Sequence, residues 1–112
     1  MRDLRSQKCQ ACQGGEEPLD QETIEILRRQ LKKDWQVNHA GWLVLEIKAK
    51  DFKEVLEWVG RIGELAESEG HHPNLYVYDY NKLRVELYTH KINGLHVNDF
   101  ILASQIDLLG KV

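Results

Sequence analysis

No stretch of this sequence approaches the ~20 apolar residues that a membrane-spanning helix requires. Its opening, Met1 to Gln10, is polar and lacks the apolar core of a signal peptide. A cytoplasmic location is therefore expected, with no membrane partner. Cysteine is scarce: Cys9 and Cys12 are the two in the chain, and one close pair cannot build a disulfide framework. An excess of positive charge is also missing. Fifteen Lys and Arg stand against 18 Asp and Glu, leaving a formal net charge of −3. That balance does not suggest a nucleic-acid binder, which normally shows a basic face. The densest positive cluster, Arg28, Arg29, Lys32 and Lys33, reads as a solvated helix face.

What is present suits one small soluble domain. The 112 residues are 42% hydrophobic and 29% charged, enough for a single core under a polar surface. So small a domain leaves much surface exposed, which makes association into an oligomer a natural supplement. Residues 1–18, rich in Gln, Gly and charge and closing on Gly14-Gly15-Glu16-Glu17-Pro18, read as a flexible tail. The folded domain is expected over 19–112. The Cys9-Gln10-Ala11-Cys12 motif is half of a zinc ribbon or a redox pair, and in a tail it has no second pair to complete it.

Asp20 offers an N-cap, and Ile24, Leu27 and Leu31 recur at helical spacing, so a first helix is expected to about Lys33. Two strands, Trp35 to Asn38 and Trp42 to Lys48, flank a turn at Ala40-Gly41. Asp51 and Glu54 resemble a capping box before a second helix. Its apolar stripe is Phe52, Val55, Leu56, Val59, Ile62 and Ala66, and it stops near Gly70. Strands follow over Leu75 to Tyr80 and Lys82 to Thr89, then a turn at Asn93-Gly94 and a helix from Val97 to Leu109. The order αββαββα with short connections predicts an α+β two-layer domain: a four-stranded antiparallel sheet with three helices on one face.

Three histidines fall at the ends of these elements: His71 and His72 after the second helix, His90 at the end of the fourth strand. Catalytic groups concentrate at such places. Glu67 precedes His71 by one helical turn, where a carboxylate can hold an imidazole in one tautomer. Asp99 lies in the first turn of the last helix, where an acid also suits the helix dipole. As a rival, Glu67, His71, His72, His90 and Asp99 are all possible metal ligands. Against that rival, adjacent histidines usually point in different directions.

The ordered set Glu67, His71-His72-Pro73, Tyr80, His90 and Asp99 resembles the signature of the pterin-4a-carbinolamine dehydratases. Lys50-Asp51-Phe52, Asn81-Lys82, Thr89-His90 and Gly94-Leu95 fit as well, and the similarity spans roughly residues 19 to 109. The resemblance implies a hydro-lyase that dehydrates a 4a-hydroxytetrahydropterin left by an aromatic amino acid hydroxylase. It implies no metal and no organic cofactor, and a homotetramer or homodimer. His71 and His90 would be the acid–base pair and His72 would bind the pterin beside Pro73. Glu67 and Asp99 would orient the imidazoles. Histidine suits the task because its ordinary pKa of about 6.5 lets it give or take a proton near neutrality. Trp35 is placed by analogy near the flat ring, with core packing as its other role. Val59, Ile62 and Ile106 are expected on helix faces that subunits share. Relatives also suggest two alternatives: another pterin pathway, such as molybdopterin metabolism, or a non-enzymatic dimerisation module. One departure stands out. His96 follows Gly-Leu where the family often has Ser or Thr, and imidazole is expected to be a poorer cap.

Overall fold

The computed structural model describes Leu4 and residues 16–110. Helix α1 (Gln21–Arg29) is capped by Asp20, whose carboxylate accepts the Thr23 N–H at 2.8 Å. Hydrogen bonds from Thr23 hold that carboxyl below its ordinary range. The helix ends at Arg29 rather than near Lys33, and the reason is not local. The Lys32 N–H is bound by Asp107 at 2.7 Å, and the same carboxylate accepts the Trp35 indole N–H at 2.8 Å. A backbone N–H held by a distant acid is lost to the helical ladder.

Strands β1 (Gln36–Val37) and β2 (Leu43–Lys48) form an antiparallel hairpin. The Asn38 side chain shapes its turn by accepting the N–H groups of Ala40 and Trp42, both at 3.0 Å. Helix α2 (Phe52–Glu69) starts at the Asp51 cap and stops at Gly70, which adopts φ 66° and ψ 25°. That left-handed conformation costs glycine nothing and closes the helix. Strands β3 (Asn74–Tyr78) and β4 (Lys82–Leu87) form a second hairpin. β3 stops at Tyr78, short of the expected Tyr80, because Asp79 and Tyr80 take φ of 46° and 51° for the turn. β4 likewise ends at Leu87, not Thr89. Thr89 bridges back to Gly94 around a 3-10 turn, His90–Ile92, and the chain then enters α3 (Val97–Asp107).

The sheet order is β1-β2-β4-β3, all antiparallel, so the two hairpins join through β2 and β4. Leu43 and Leu45 of β2 and Leu83, Val85 and Leu87 of β4 share one face and are buried. All three helices supply that face, through Leu27, through Val55, Trp58 and Ile62, and through Phe100 and Leu102. The buried stripe of α2 is rotated from the expected one. Trp58 joins it, whereas Phe52 and Leu56 are about half exposed. Ile62 and Ile106 are wholly buried within the single chain, so they are core residues and not the subunit surface expected of them. Leu4 is buried in the same core, although residues 1–18 read as a tail. Cys9 and Cys12 lie outside the described residues.

The opposite sheet face carries charge. Glu46 accepts the Tyr78 hydroxyl and the Arg84 Nε–H, each at 2.7 Å. Partial burial opposes ionisation of Glu46, but the hydrogen bonds from Arg84 and Tyr78 outweigh it and hold the carboxyl below its usual range.

Candidate active site

The site begins where α2 ends. Gly70 turns the chain out of helical geometry, so the spacing that put Glu67 one turn from His71 no longer applies. His72, not His71, meets Glu67, with Nε2 3.2 Å from Oε2. That pair is largely exposed, and it borders a groove of about 540 Å³ lined by Gly63, Ala66, Glu67, His72, Pro73 and Leu75. Pro73 therefore lies beside His72 as expected, and His71 is not among the groove residues.

His71 turns inward instead. Its Nε2 lies 2.6 Å from Oδ1 of Asp99, whose side chain is fully buried. The other oxygen of Asp99 accepts the Thr89 hydroxyl at 2.8 Å and the His96 backbone N–H at 3.0 Å. Its other partners among the described residues, the Thr89 hydroxyl and the His96 N–H, both donate to it, so the Nε2–H of His71 donates to it as well. That fixes His71 as the Nε2–H tautomer and leaves the Nδ1 lone pair for chemistry. Through Asp99, three elements converge: the end of α2, the end of β4 and the start of α3.

Thr89 directly precedes His90, so the Asp99 carboxylate also ties His71 to the chain that carries the third histidine. His90 opens the 3-10 turn and is exposed. It packs edge-on against two aromatic rings. Trp42 lies 5.4 Å and Tyr88 5.2 Å from it between centroids, and the two rings stack on each other at 4.6 Å with 6° between planes. His90 is expected at the end of the fourth strand, but its position is the turn that follows it. Trp42 is a neighbour that sequence reasoning missed. The register of β2 on β4 would place it opposite Tyr88, and that pairing joins strands far apart in the chain.

Trp35 occupies the core, buried and bonded to Asp107, so its ring is not offered to a ligand from the surface. His96 corrects another expectation. It caps α3 fully: Nδ1 accepts the Asn98 N–H at 3.0 Å, while Asp99 reciprocates on the His96 N–H. Among the described residues, no group of three or more His, Cys, Asp or Glu is arranged to hold a metal ion. Also among them, no helix is long and apolar enough to cross a membrane.

Comparison with known proteins agrees on one family. The family model described as pterin 4 alpha carbinolamine dehydratase matches residues 17–109. A protein of Rickettsia canadensis (strain McKiel) named for pterin-4-alpha-carbinolamine dehydratase is 43% identical over 104 residues, covering 93% of this chain and 94% of the relative. One of Alkaliphilus metalliredigens (strain QYMF), named for the same activity, is 40% identical over 107 residues, covering 96% of each. Among solved structures, a transcriptional coactivator/pterin dehydratase from Brucella melitensis superposes with a TM-score of 0.72 at 28% identity, over 80% of this chain and 94% of that one.

Proposed function

We propose that this chain, which belongs to the pterin 4 alpha carbinolamine dehydratase family, removes water from a 4a-hydroxytetrahydropterin by histidine acid–base catalysis. The bond broken is C4a–O. The nitrogen N5 loses its proton as the hydroxyl leaves as water, giving the quinonoid dihydropterin. Two proton movements are needed, one onto the oxygen and one off the nitrogen.

The observation that carries this reading is the His71–Asp99 contact at 2.6 Å. A buried carboxylate that fixes the tautomer of one imidazole, and offsets the charge the ring acquires on taking a proton, is the arrangement a general base uses. His90, beside the stacked Trp42 and Tyr88, supplies the second proton-moving group. His72, paired with exposed Glu67 at the groove, binds and positions the pterin with Pro73. Each well-placed proton transfer contributes on the order of 100- to 10,000-fold. No step calls for a metal or an organic cofactor, and the reaction fits the recycling of a pterin after an aromatic amino acid hydroxylase.

The test is a stopped-flow assay on synthetic 4a-hydroxytetrahydropterin in the presence of chelator. Loss of the 4a-hydroxy species faster than its spontaneous rate is expected. No acceleration, from folded protein that binds a pterin, would sink the proposal. A binding role is the second reading, favoured by the description of the Brucella relative as a transcriptional coactivator as well as a dehydratase. Tight pterin-independent capture of a partner by a catalytically silent chain would favour it.

A further inference from the structure

The segment before α1 is fastened to the loop before α3 at three points. Leu19 donates its N–H to the Leu95 carbonyl at 2.9 Å. Pro18 presses on Gly94 so closely that a Cβ on that glycine would lie 2.4 Å from the Pro18 Cβ. Glu16 reaches His96, with Oε2 2.7 Å from Nε2. His96 is in turn the N-cap of α3, its Nδ1 accepting the Asn98 N–H.

These two contacts determine the protonation of the His96 ring. A backbone N–H only donates, so Nδ1 must carry a lone pair. The single proton of the neutral ring is then on Nε2, where the Glu16 carboxylate accepts it. The opposite tautomer would lose both contacts, and a doubly protonated ring would lose the cap. A serine or threonine hydroxyl caps without a helper; an imidazole caps well only when something holds its tautomer. Glu16 does so from the segment that precedes α1.

The capped turn carries Asp99. Its Oδ2 closes the reciprocal bond to the His96 N–H at 3.0 Å, and its Oδ1 holds His71. We propose that Glu16 and His96 are positioning residues for the dehydratase site. Glu16 keeps His96 in the Nε2–H form, His96 keeps the first turn of α3 closed, and the closed turn keeps Asp99 on His71. The functional part of the inference rests on His71 moving a proton.

The experiment combines ¹⁵N NMR of the histidine rings with steady-state kinetics on the full chain. In the wild type, His96 should show an unprotonated Nδ1 and a protonated Nε2. Glu16→Ala should admit the Nδ1–H tautomer and shift the His71 Nε2–H resonance. His96→Ala should lower kcat about tenfold with KM nearly unchanged, part of the roughly hundredfold that a 1 Å misplacement can cost. His96→Ser should restore turnover, because its hydroxyl caps unaided, and in that background Glu16→Ala should have no further effect. A wild-type His96 protonated on Nδ1, or a His71 resonance unmoved by Glu16→Ala, overturns the proposal. If His96→Ala does not fold, Glu16→Ala and His96→Ser decide alone. The spectra need no substrate. Wrong spectra in an active enzyme sink the positioning role alone; correct spectra in an inactive one sink the dehydratase reading alone.

Discussion

At the scale of single residues, the proposed roles separate histidines that move protons, His71 and His90, from one that holds a ligand, His72. His71→Ala and His90→Ala should each lower turnover by on the order of 100-fold or more while leaving pterin binding close to wild type. His72→Ala should raise KM and keep much of kcat, because a positioning contact acts on ground and transition states alike. Asp99→Asn should cost roughly tenfold or more in kcat, since an amide no longer selects the Nε2–H form of His71. Single-turnover and steady-state kinetics on the four variants would check this. A His72 variant without turnover beside near-normal His71 and His90 variants would mean the roles are exchanged. The histidines and the two acids were named from the sequence, but which acid meets which histidine was not legible there. Glu67 was matched to His71 by helical spacing, but the left-handed Gly70 hands that acid to His72 and turns His71 toward Asp99, 28 positions away. Local periodicity carries no record of such a distant contact.

At the scale of elements, existence and order followed from periodicity and caps, whereas ends were set by partners elsewhere in the chain. Asp20 and Asp51 announce their helices, and the alternation of Leu83, Val85 and Leu87 announces the inner face of β4. The early end of α1 depends on Asp107, and the rotation of the α2 stripe depends on which side meets α3, so neither could be read locally. The outer sheet face offers a test of its electrostatics. The Glu46 carboxyl is held below its ordinary range in the folded state. Its contribution is therefore present above the carboxylate range and lost as pH falls through the folded value. Urea unfolding from about pH 6 to pH 3 should show the wild type more stable than Glu46→Gln at the upper end, by at most about 1 kcal/mol because the group is half exposed. The gap should close toward the acid end. Parallel stability curves for the two proteins would show that the Arg84 and Tyr78 bonds contribute nothing.

At the scale of the whole molecule, one chain leaves apolar surface uncovered. Phe52 and Leu56 stand one turn apart on α2, and Tyr76 and Val77 lie on β3, one of the two edge strands. Wholly buried Ile62 and Ile106 are removed from that surface, yet the expectation of a homo-oligomer survives on these other residues. Sedimentation at micromolar concentration should give a homotetramer or homodimer, and a species of 13.1 kDa would contradict it. The Asp99 carboxylate has a wider consequence. The group that closes the first turn of α3 is the same one His71 rests on, so on the proposed role of His71 completing the last helix also sets the catalytic imidazole. A chain whose sheet has formed while α3 is still frayed holds its histidines without holding their chemistry. During refolding, activity should return last and all at once.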